Sequence, residues 1–234
     1  MKIFRYILVP LCLTLMSSHA RSQSFTAYDL NTPGYLGNTN FGGTLGMQFD
    51  VNASSIQVTS LGVFDSGGDG FHHVMTTYLF NRDTHALITS QNFSGTTVGT
   101  AGSLVGNHRF LALATPLTLG PGHYVVSAYG FLNDGLGNDQ AGAEDKPGFV
   151  QDTFNNGGGL ITAIAPSLYS EAFLGPGVYP TSTLGDALAW NAGTFQYSLF
   201  VPEPNSVALM FSLAGVGGSL VLKHARRRGI KRRA

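Results

Sequence analysis

One short glycine-rich segment, residues 65–70 (DSGGDG), places two carboxylates close together in the chain. Calcium ions in proteins take about six to eight oxygen ligands, which carboxylates and flexible backbone can supply. The segment therefore predicts a candidate calcium site at Asp65 and Asp69, although it lacks the full spacing of an EF-hand loop. Ordinary turn chemistry explains Asp and Gly here equally well, and that alternative stays open. No other cofactor is predicted.

Two adjacent histidines, His72 and His73, follow this segment directly. Neighbouring residues of a strand point to opposite faces, so the pair cannot bind one metal ion together in regular β-structure. Spacing places no third ligand beside them. The chain also lacks the G-x-S-x-G, H-E-x-x-H and G-x-x-x-x-G-K-[ST] motifs. We therefore expect a non-enzymatic protein. A secreted polysaccharide hydrolase stays open, because a pair of acidic residues would suffice for its chemistry.

Three aromatic residues offer a different chemistry, the stacking of sugar rings. Trp190, Tyr169 and Tyr179 belong to a body with acidic, Gly- and Asn-rich loops, and together they would form a platform like those of carbohydrate-binding modules. A lone tryptophan in a β-sandwich is more often part of the core. Carbohydrate binding is therefore kept as an alternative function.

The elements that must position these residues are predicted to be β-strands. Between Ser22 and Phe200 no window shows a sustained helical period, whereas short runs of branched and aromatic residues are bounded by Gly, Asn, Asp or Pro. A shift of the apolar phase near Ser60 predicts a β-bulge. The fold class expected is all-β, a single β-sandwich or jelly-roll-like domain over residues 21–200. The predicted strands are Leu45–Val51, Ile56–Phe64, Val74–Phe80, Ala86–Phe93, Phe110–Ala114, Tyr124–Phe131 and Phe195–Phe200.

The N-terminal segment, residues 1–20, has the pattern of a cleavable signal peptide. Lys2 and Arg5 precede an apolar stretch, and small residues stand at Ser18 and Ala20. The only cysteine, Cys12, lies inside that stretch. We therefore expect an exported mature chain without disulfides or thiol chemistry.

The C-terminal segment, residues 201–234, has three parts. A proline-framed acid at 201–204 is followed by 17 residues without formal charge, Ser206–Leu222, and by a basic tail at 223–234. As a helix the middle part would reach about 25 Å, close to the thickness of a bilayer core. The tail would then hold the C-terminus on the cytoplasmic side. We expect a transmembrane helix at 206–222.

This order of parts resembles the PEP-CTERM sorting signal of exported proteins of Gram-negative bacteria. The resemblance covers the sorting motif Pro202, Glu203 and Pro204, the apolar span, and the basic cluster Arg226, Arg227 and Arg228. It implies recognition by an exosortase, a membrane-embedded cysteine protease or transpeptidase. It further implies an inner-membrane anchored precursor, removal of the span, and delivery to the cell surface or the extracellular matrix.

The central part of the chain resembles the β-sandwich domains of unknown function that are common in such proteins. The resemblance rests on "LGMQFDVNASSIQVTSLGVFDSGGDGF", "YLFNRDTHALI", "FLALATPLTLGPGHYVVSAYG" and "FQYSLF", and departs from the expected glycine form at residues 85–88 (HALI). It implies a fold and a location but no activity. The expected role is that of a surface or matrix protein associated with exopolysaccharide and biofilm.

The charge distribution bears on the partners. Formal net charge is zero over the chain, but the tail holds seven of the thirteen basic residues, and the region from Asp29 to Asp186 has only Arg82, Arg109 and Lys146 against twelve acids. An acidic body is a poor ligand for phosphate backbones. We therefore expect no nucleic-acid partner, an exosortase at the C-terminal signal, and exopolysaccharide as a candidate partner of the body.

Overall fold

Short apolar runs separated by turn residues form most of the described chain. The computed structural model describes residues 23–29, 36–37, 41–71, 74–93, 102–131, 142–143, 153–171, 174–184 and 190–201. These ranges contain β-strands and one short 3-10 turn, Ser66–Gly68, and no α-helix. The all-β prediction is confirmed. The strands are β1 Phe25–Thr26, β2 Tyr28–Asp29, β3 Leu45–Val51, β4 Ile56–Phe64, β5 Met75–Asn81, β6 Leu87–Phe93, β7 Ser103–Val105, β8 His108–Leu119, β9 Gly122–Tyr129, β10 Gly142–Ala143, β11 Thr153–Phe154, β12 Ile161–Tyr169, β13 Ser182–Leu184, β14 Trp190–Asn191 and β15 Gly193–Leu199.

Two antiparallel sheets carry the architecture. One has six strands in the order β13-β12-β3-β9-β5-β6, and the other has five in the order β1-β15-β4-β8-β7. Two small antiparallel pairs, β10 with β14 and β2 with β11, accompany them. The two large sheets form a β-sandwich, as predicted. The predicted signal peptide, residues 1–20, and transmembrane helix, residues 206–222, lie outside the described residues.

The core lies between the two large sheets and is rich in aromatic rings. Phe49 of β3 and Phe195 of β15 are fully buried, and their ring centroids are 4.7 Å apart. The ring of Tyr124, on β9, stacks on Phe49 at 5.6 Å, and Tyr197 lies 5.5 Å from Phe195. Burial of each such side chain contributes roughly 1.5–3 kcal/mol relative to its exposure to water. Aromatic rings of both sheets therefore meet in this core, together with many aliphatic side chains.

A second, smaller apolar cluster covers the outer face of the six-stranded sheet. It contains Tyr78 and Phe80 of β5, Val125 of β9 and Leu168 of β12, with Tyr179 packed against them. Alternate residues of β5 therefore serve opposite faces, since Leu79 belongs to the core between the sheets. The segment that carries Tyr179 packs onto this face. Both faces of this sheet are apolar around β5 and β9.

The bulge predicted near Ser60 is present in β4. The pairing of β4 with β8 shifts register between Val58 and Ser60, and the partner strand β15 shifts between Gln196 and Tyr197. The run Tyr124–Tyr129 is largely apolar on both phases, which predicts a central strand, and β9 indeed lies between β3 and β5. Strand β12 and the strands of two or three residues are not predicted from the sequence. The strand predicted from Phe110 also ends too early, because β8 continues to Leu119.

At Gly193 the backbones of the two large sheets approach each other closely. A Cβ at this position would lie 2.8 Å from the backbone carbon of Ser127, on β9 in the opposite sheet. Real Cβ atoms essentially never come so near to backbone. The absence of a side chain at Gly193 therefore lets β15 and β9 pack directly against each other.

We expect Gly193→Ala to lower the free energy of unfolding by about 1–3 kcal/mol, because the added methyl group forces the sheets apart. The measurement is urea denaturation of the substituted and unsubstituted proteins. Gly120→Ala is the matched control, since a Cβ at Gly120 meets nothing within 4 Å. Equal stability of the two alanine variants would contradict the packing role of Gly193.

Candidate functional site

Asp65, the first residue of the predicted calcium loop, lies at the end of β4 and is completely buried. The chain turns back immediately after it through a 3-10 turn, with Gly67 at φ 83° and Gly70 at φ 103°. These left-handed conformations favour glycine. The turn brings the backbone N–H of Gly70 within 3.1 Å of both carboxylate oxygens of Asp65.

The other partner of the Asp65 carboxylate is Arg109, on β8. The Nε–H group of Arg109 donates to Oδ2 of Asp65 at 2.5 Å. The same guanidinium donates to the carbonyl oxygens of Gly68, at 3.0 Å, and Gly102, at 3.4 Å. Arg109 is itself buried. The ion pair therefore ties the turn to the strand beside it and satisfies the charge of both side chains.

Burial raises the pKa of Asp65 above its ordinary value, because removing the carboxylate from water penalises its charge. The charge and hydrogen bond of Arg109, together with the Gly70 N–H group, oppose that increase. A buried ion pair that is fully hydrogen-bonded holds its surroundings in one arrangement, whereas the loss of one partner leaves an uncompensated charge. This ion pair is therefore suited to holding the turn at residues 65–70 in one conformation.

Asp69 lies in the same turn but is exposed. The structure thus separates the two carboxylates of the calcium prediction into a buried one bonded to Arg109 and one that faces solvent. In the described ranges no three His, Cys, Asp or Glu residues come together in a way that could hold a metal ion. Calcium binding at Asp65 would require the ion to replace Arg109. The calcium site stays a prediction.

A second, partly buried polar pair, which the sequence pattern does not reveal, adjoins the first. His108 precedes Arg109 and is fully buried, with its Nδ1 atom 3.2 Å from Oδ1 of Asp29. Its ring meets Phe64 edge to face at 5.7 Å. The sequence contains one signal for β8, because Arg109 is one of only three basic residues in the acidic region from Asp29 to Asp186. The four polar side chains connect β2, β4 and β8.

A third polar cluster lies near the outer face of the six-stranded sheet. Oδ1 of Asp50 is 2.8 Å from the Nη2 atom of Arg82 and 2.8 Å from the Nδ1 atom of His123. The same Nη2 and Nδ1 atoms are also 2.8 Å apart. One Nδ1 atom cannot donate to Asp50 and accept from Arg82 at the same time. The tautomer of His123 therefore determines which of the two neighbours its Nδ1 atom bonds.

The nearby turn between β5 and β6 carries an exposed histidine, His85, with φ 59°. Its ring stacks on Tyr179 at 3.9 Å with an angle of 10° between the ring planes. Burial raises the pKa of Tyr179, and the charge of Arg82 opposes that increase. Together with Arg82, Asp50 and His123, this stacked pair forms what we call the outer-face cluster.

The structure does not bring the predicted sugar platform together. Tyr169 packs against the core between the sheets and meets Phe41 edge to face at 5.8 Å. Tyr179 instead packs on the outer face of the same sheet, against Phe80 at 5.4 Å. The side chain of Trp190 lies outside what the structure describes. Of the three aromatic residues, Tyr179 alone is placed in a surface cluster by the described contacts.

Several residues singled out from the sequence lie outside the described ranges. These are His72 and His73, the sorting motif Pro202, Glu203 and Pro204, and the basic cluster Arg226, Arg227 and Arg228. Within the described part of the chain, no helix has the length and hydropathy to cross a membrane. The predictions for these residues stay predictions.

Comparison of the chain with protein-family models, with curated proteins and with solved structures found no match.

We expect Asp65→Ala to lower the free energy of unfolding by about 3–5 kcal/mol, because it leaves the guanidinium of Arg109 buried without its counter-charge. Thermal and urea denaturation measure the effect. Asp69→Ala is the control from the same turn, and its exposed position predicts a change within about 0.5 kcal/mol. Similar small effects for both variants would mean that the ion pair does not hold this turn.

Proposed function

We propose that this chain is a non-enzymatic exported protein of the cell surface or extracellular matrix, sorted by an exosortase through residues 201–234. One observation carries the proposal. The last described strand of the sandwich ends at Leu199, and Val201, directly before the motif Pro202-Glu203-Pro204, is 63% exposed. A substrate motif must be accessible to its enzyme, and the exposure of Val201 favours this.

The backbone contacts directly before the motif support the same proposal. The backbone N–H of Phe200 donates to the carbonyl oxygen of Ser55 at 3.1 Å, so the fold holds the chain up to that residue. Prolines at 202 and 204 favour an extended backbone and lack donors for a sheet. From Val201 to Ser206 an extended chain spans at most about 17 Å. A sandwich tethered in this way would stay close to a membrane-embedded enzyme.

The remaining elements of the proposal follow from the sequence. Residues 1–20 act as a signal peptide, and residues 21–200 form a single jelly-roll-like domain. The helix at 206–222 anchors the precursor in the inner membrane of a Gram-negative bacterium until an exosortase removes it. The acidic body then associates with exopolysaccharide in the matrix and not with nucleic acid.

In cells that contain the exosortase, we expect the mature protein to lack both the signal peptide and the segment that follows the sorting motif. Intact-mass spectrometry of the purified protein measures this directly. In a strain without the exosortase, the mass should include residues up to 234. The variant Glu203→Ala should behave as in that strain, whereas Glu171→Ala, at an exposed position in the body, should be processed normally. An identical unprocessed tail in both strains would refute the sorting proposal.

Carbohydrate binding is a second candidate, and the outer-face cluster is the observation that favours it. An exposed ring, His85, is supported from behind by Tyr179, and the charged side chains of Arg82 and Asp50 lie nearby. Aromatic faces and hydrogen-bonding side chains of this kind are the usual means of holding a small polar ligand. The hydrolase alternative has less support. The carboxylates of Asp29, Asp50 and Asp65 each lie within 3.2 Å of a histidine or arginine side chain.

If the outer-face cluster binds sugar, His85→Ala should weaken binding to the best ligand of a glycan array about tenfold, which corresponds to about 1.4 kcal/mol. Val74→Ala is the control, because Val74 is also exposed but lies outside the cluster. Unchanged binding after removal of the His85 ring would rule the cluster out. Hydrolysis of a polysaccharide that disappears in Asp50→Asn would instead contradict the non-enzymatic proposal.

A further inference from the structure

The two large sheets end in four edge strands, and these differ greatly in length. Three of them are short, with β1 of two residues and β7 and β13 of three residues each. The fourth, β6, has seven residues. An edge strand presents unpaired N–H and C=O groups to solvent, and natural proteins commonly protect edges by keeping them short. That protection is missing at β6.

The composition of β6 supplies no other protection. Its sequence, LITSQNF, contains no charged residue, glycine or proline, and no Asp, Glu, Lys or Arg occurs anywhere from Thr84 to Asn107. Charged side chains, especially lysine, and prolines are the usual features that prevent an edge from pairing with another chain. Segments of about six or seven uncharged residues with high β-propensity favour strand association. Thus β6 has the composition of a pairing strand.

The hydrogen-bonded pairing of β6 with its neighbour β5 is regular over only part of the strand. It runs antiparallel to β5 from Met75 opposite Phe93 to Leu79 opposite Thr89, and the register shifts before Phe80 pairs with Leu87. Residues Thr89–Phe93 therefore form an uninterrupted run. In the described chain no strand is hydrogen-bonded to the other side of β6. The centre of the regular run is Gln91.

We propose that the β6 edges of two copies of this chain pair antiparallel about a two-fold axis at Gln91 and join their six-stranded sheets. In this register Gln91 lies opposite Gln91 of the other copy. Ser90 lies opposite Asn92 of the other copy, and Thr89 lies opposite Phe93. Each pair joins side chains of the same face, because residues two apart in a strand lie on one face. A two-fold contact uses the same surface on both copies and closes at a dimer.

Exposed apolar residues on β6 and on the neighbouring edge strand β7 favour a protein as the partner of this edge. Leu87 is 49% exposed, and Leu104 and Val105 of β7 are 43% and 42% exposed. Across the sandwich β6 lies against β8, whose edge-side neighbour is β7. The edges of both sheets therefore lie on one side of the molecule. Neither β6 nor β7 contains a charged residue, and a second copy provides a partner edge with the same composition. The inference goes beyond the proposed function and does not depend on export or sorting.

The test is sedimentation equilibrium of the full chain in a mild detergent over a range of protein concentrations. We expect reversible dimers, and we expect Gln91→Lys to weaken their association at least about tenfold, because two like charges then face each other directly across the strands. Gln57→Lys is the control, since Gln57 is also half-buried but lies on β4 in the middle of a sheet. Circular dichroism confirms that both variants fold.

A cross-linking experiment tests the register. In a Cys12→Ser background, which removes the only natural cysteine, Gln91→Cys should oxidise to a disulfide-linked dimer, because directly opposite Cα atoms are about 4.5–5.5 Å apart in antiparallel strands. Gln57→Cys should remain monomeric under the same conditions. A monomeric wild-type chain, dimers unaffected by Gln91→Lys, or equal cross-linking at both positions would each overturn the proposal. Association through the membrane segment would show itself by insensitivity to Gln91→Lys.

Discussion

The contact between Phe49 and Phe195 is the interaction on which the rest of the sandwich depends. It joins β3 and β15, one interior strand of each large sheet, at a ring distance of 4.7 Å, and both side chains are fully buried. A chain whose only cysteine is Cys12 cannot hold these sheets together with a disulfide. Stability must therefore come from apolar burial and close packing, and direct backbone contact at Gly193 is part of the same solution.

Polar groups inside this core are constrained by the same packing. Asp65 and Arg109 are buried together, and each is stable there only because the other supplies its counter-charge. The turn at residues 65–70 owes its shape to this pair and to the left-handed glycines within it. The carboxylate that the sequence offers as a metal ligand is thus already bonded to a cation of the protein itself.

Three surface features occupy different parts of the described fold. Val201 is exposed directly before Pro202-Glu203-Pro204, the outer-face cluster combines an exposed ring with charged groups, and the edge strand β6 is long and uncharged. All three are held in place by the sandwich, which the packed core between the two large sheets stabilises.

The sequence by itself determined the long strands other than β12, the bulge at Ser60 and the central position of β9, because apolar periodicity and turn residues are local signals. It did not predict β12, in which Pro166 interrupts the run and the pairing shifts between Ile164 and Leu168. Only the tertiary structure decided that Asp65 pairs with Arg109, 44 residues away, and that Tyr169 and Tyr179 lie on opposite faces of one sheet. Such pairings depend on strand order and register, which residues distant in the chain fix only when the sheets pack together.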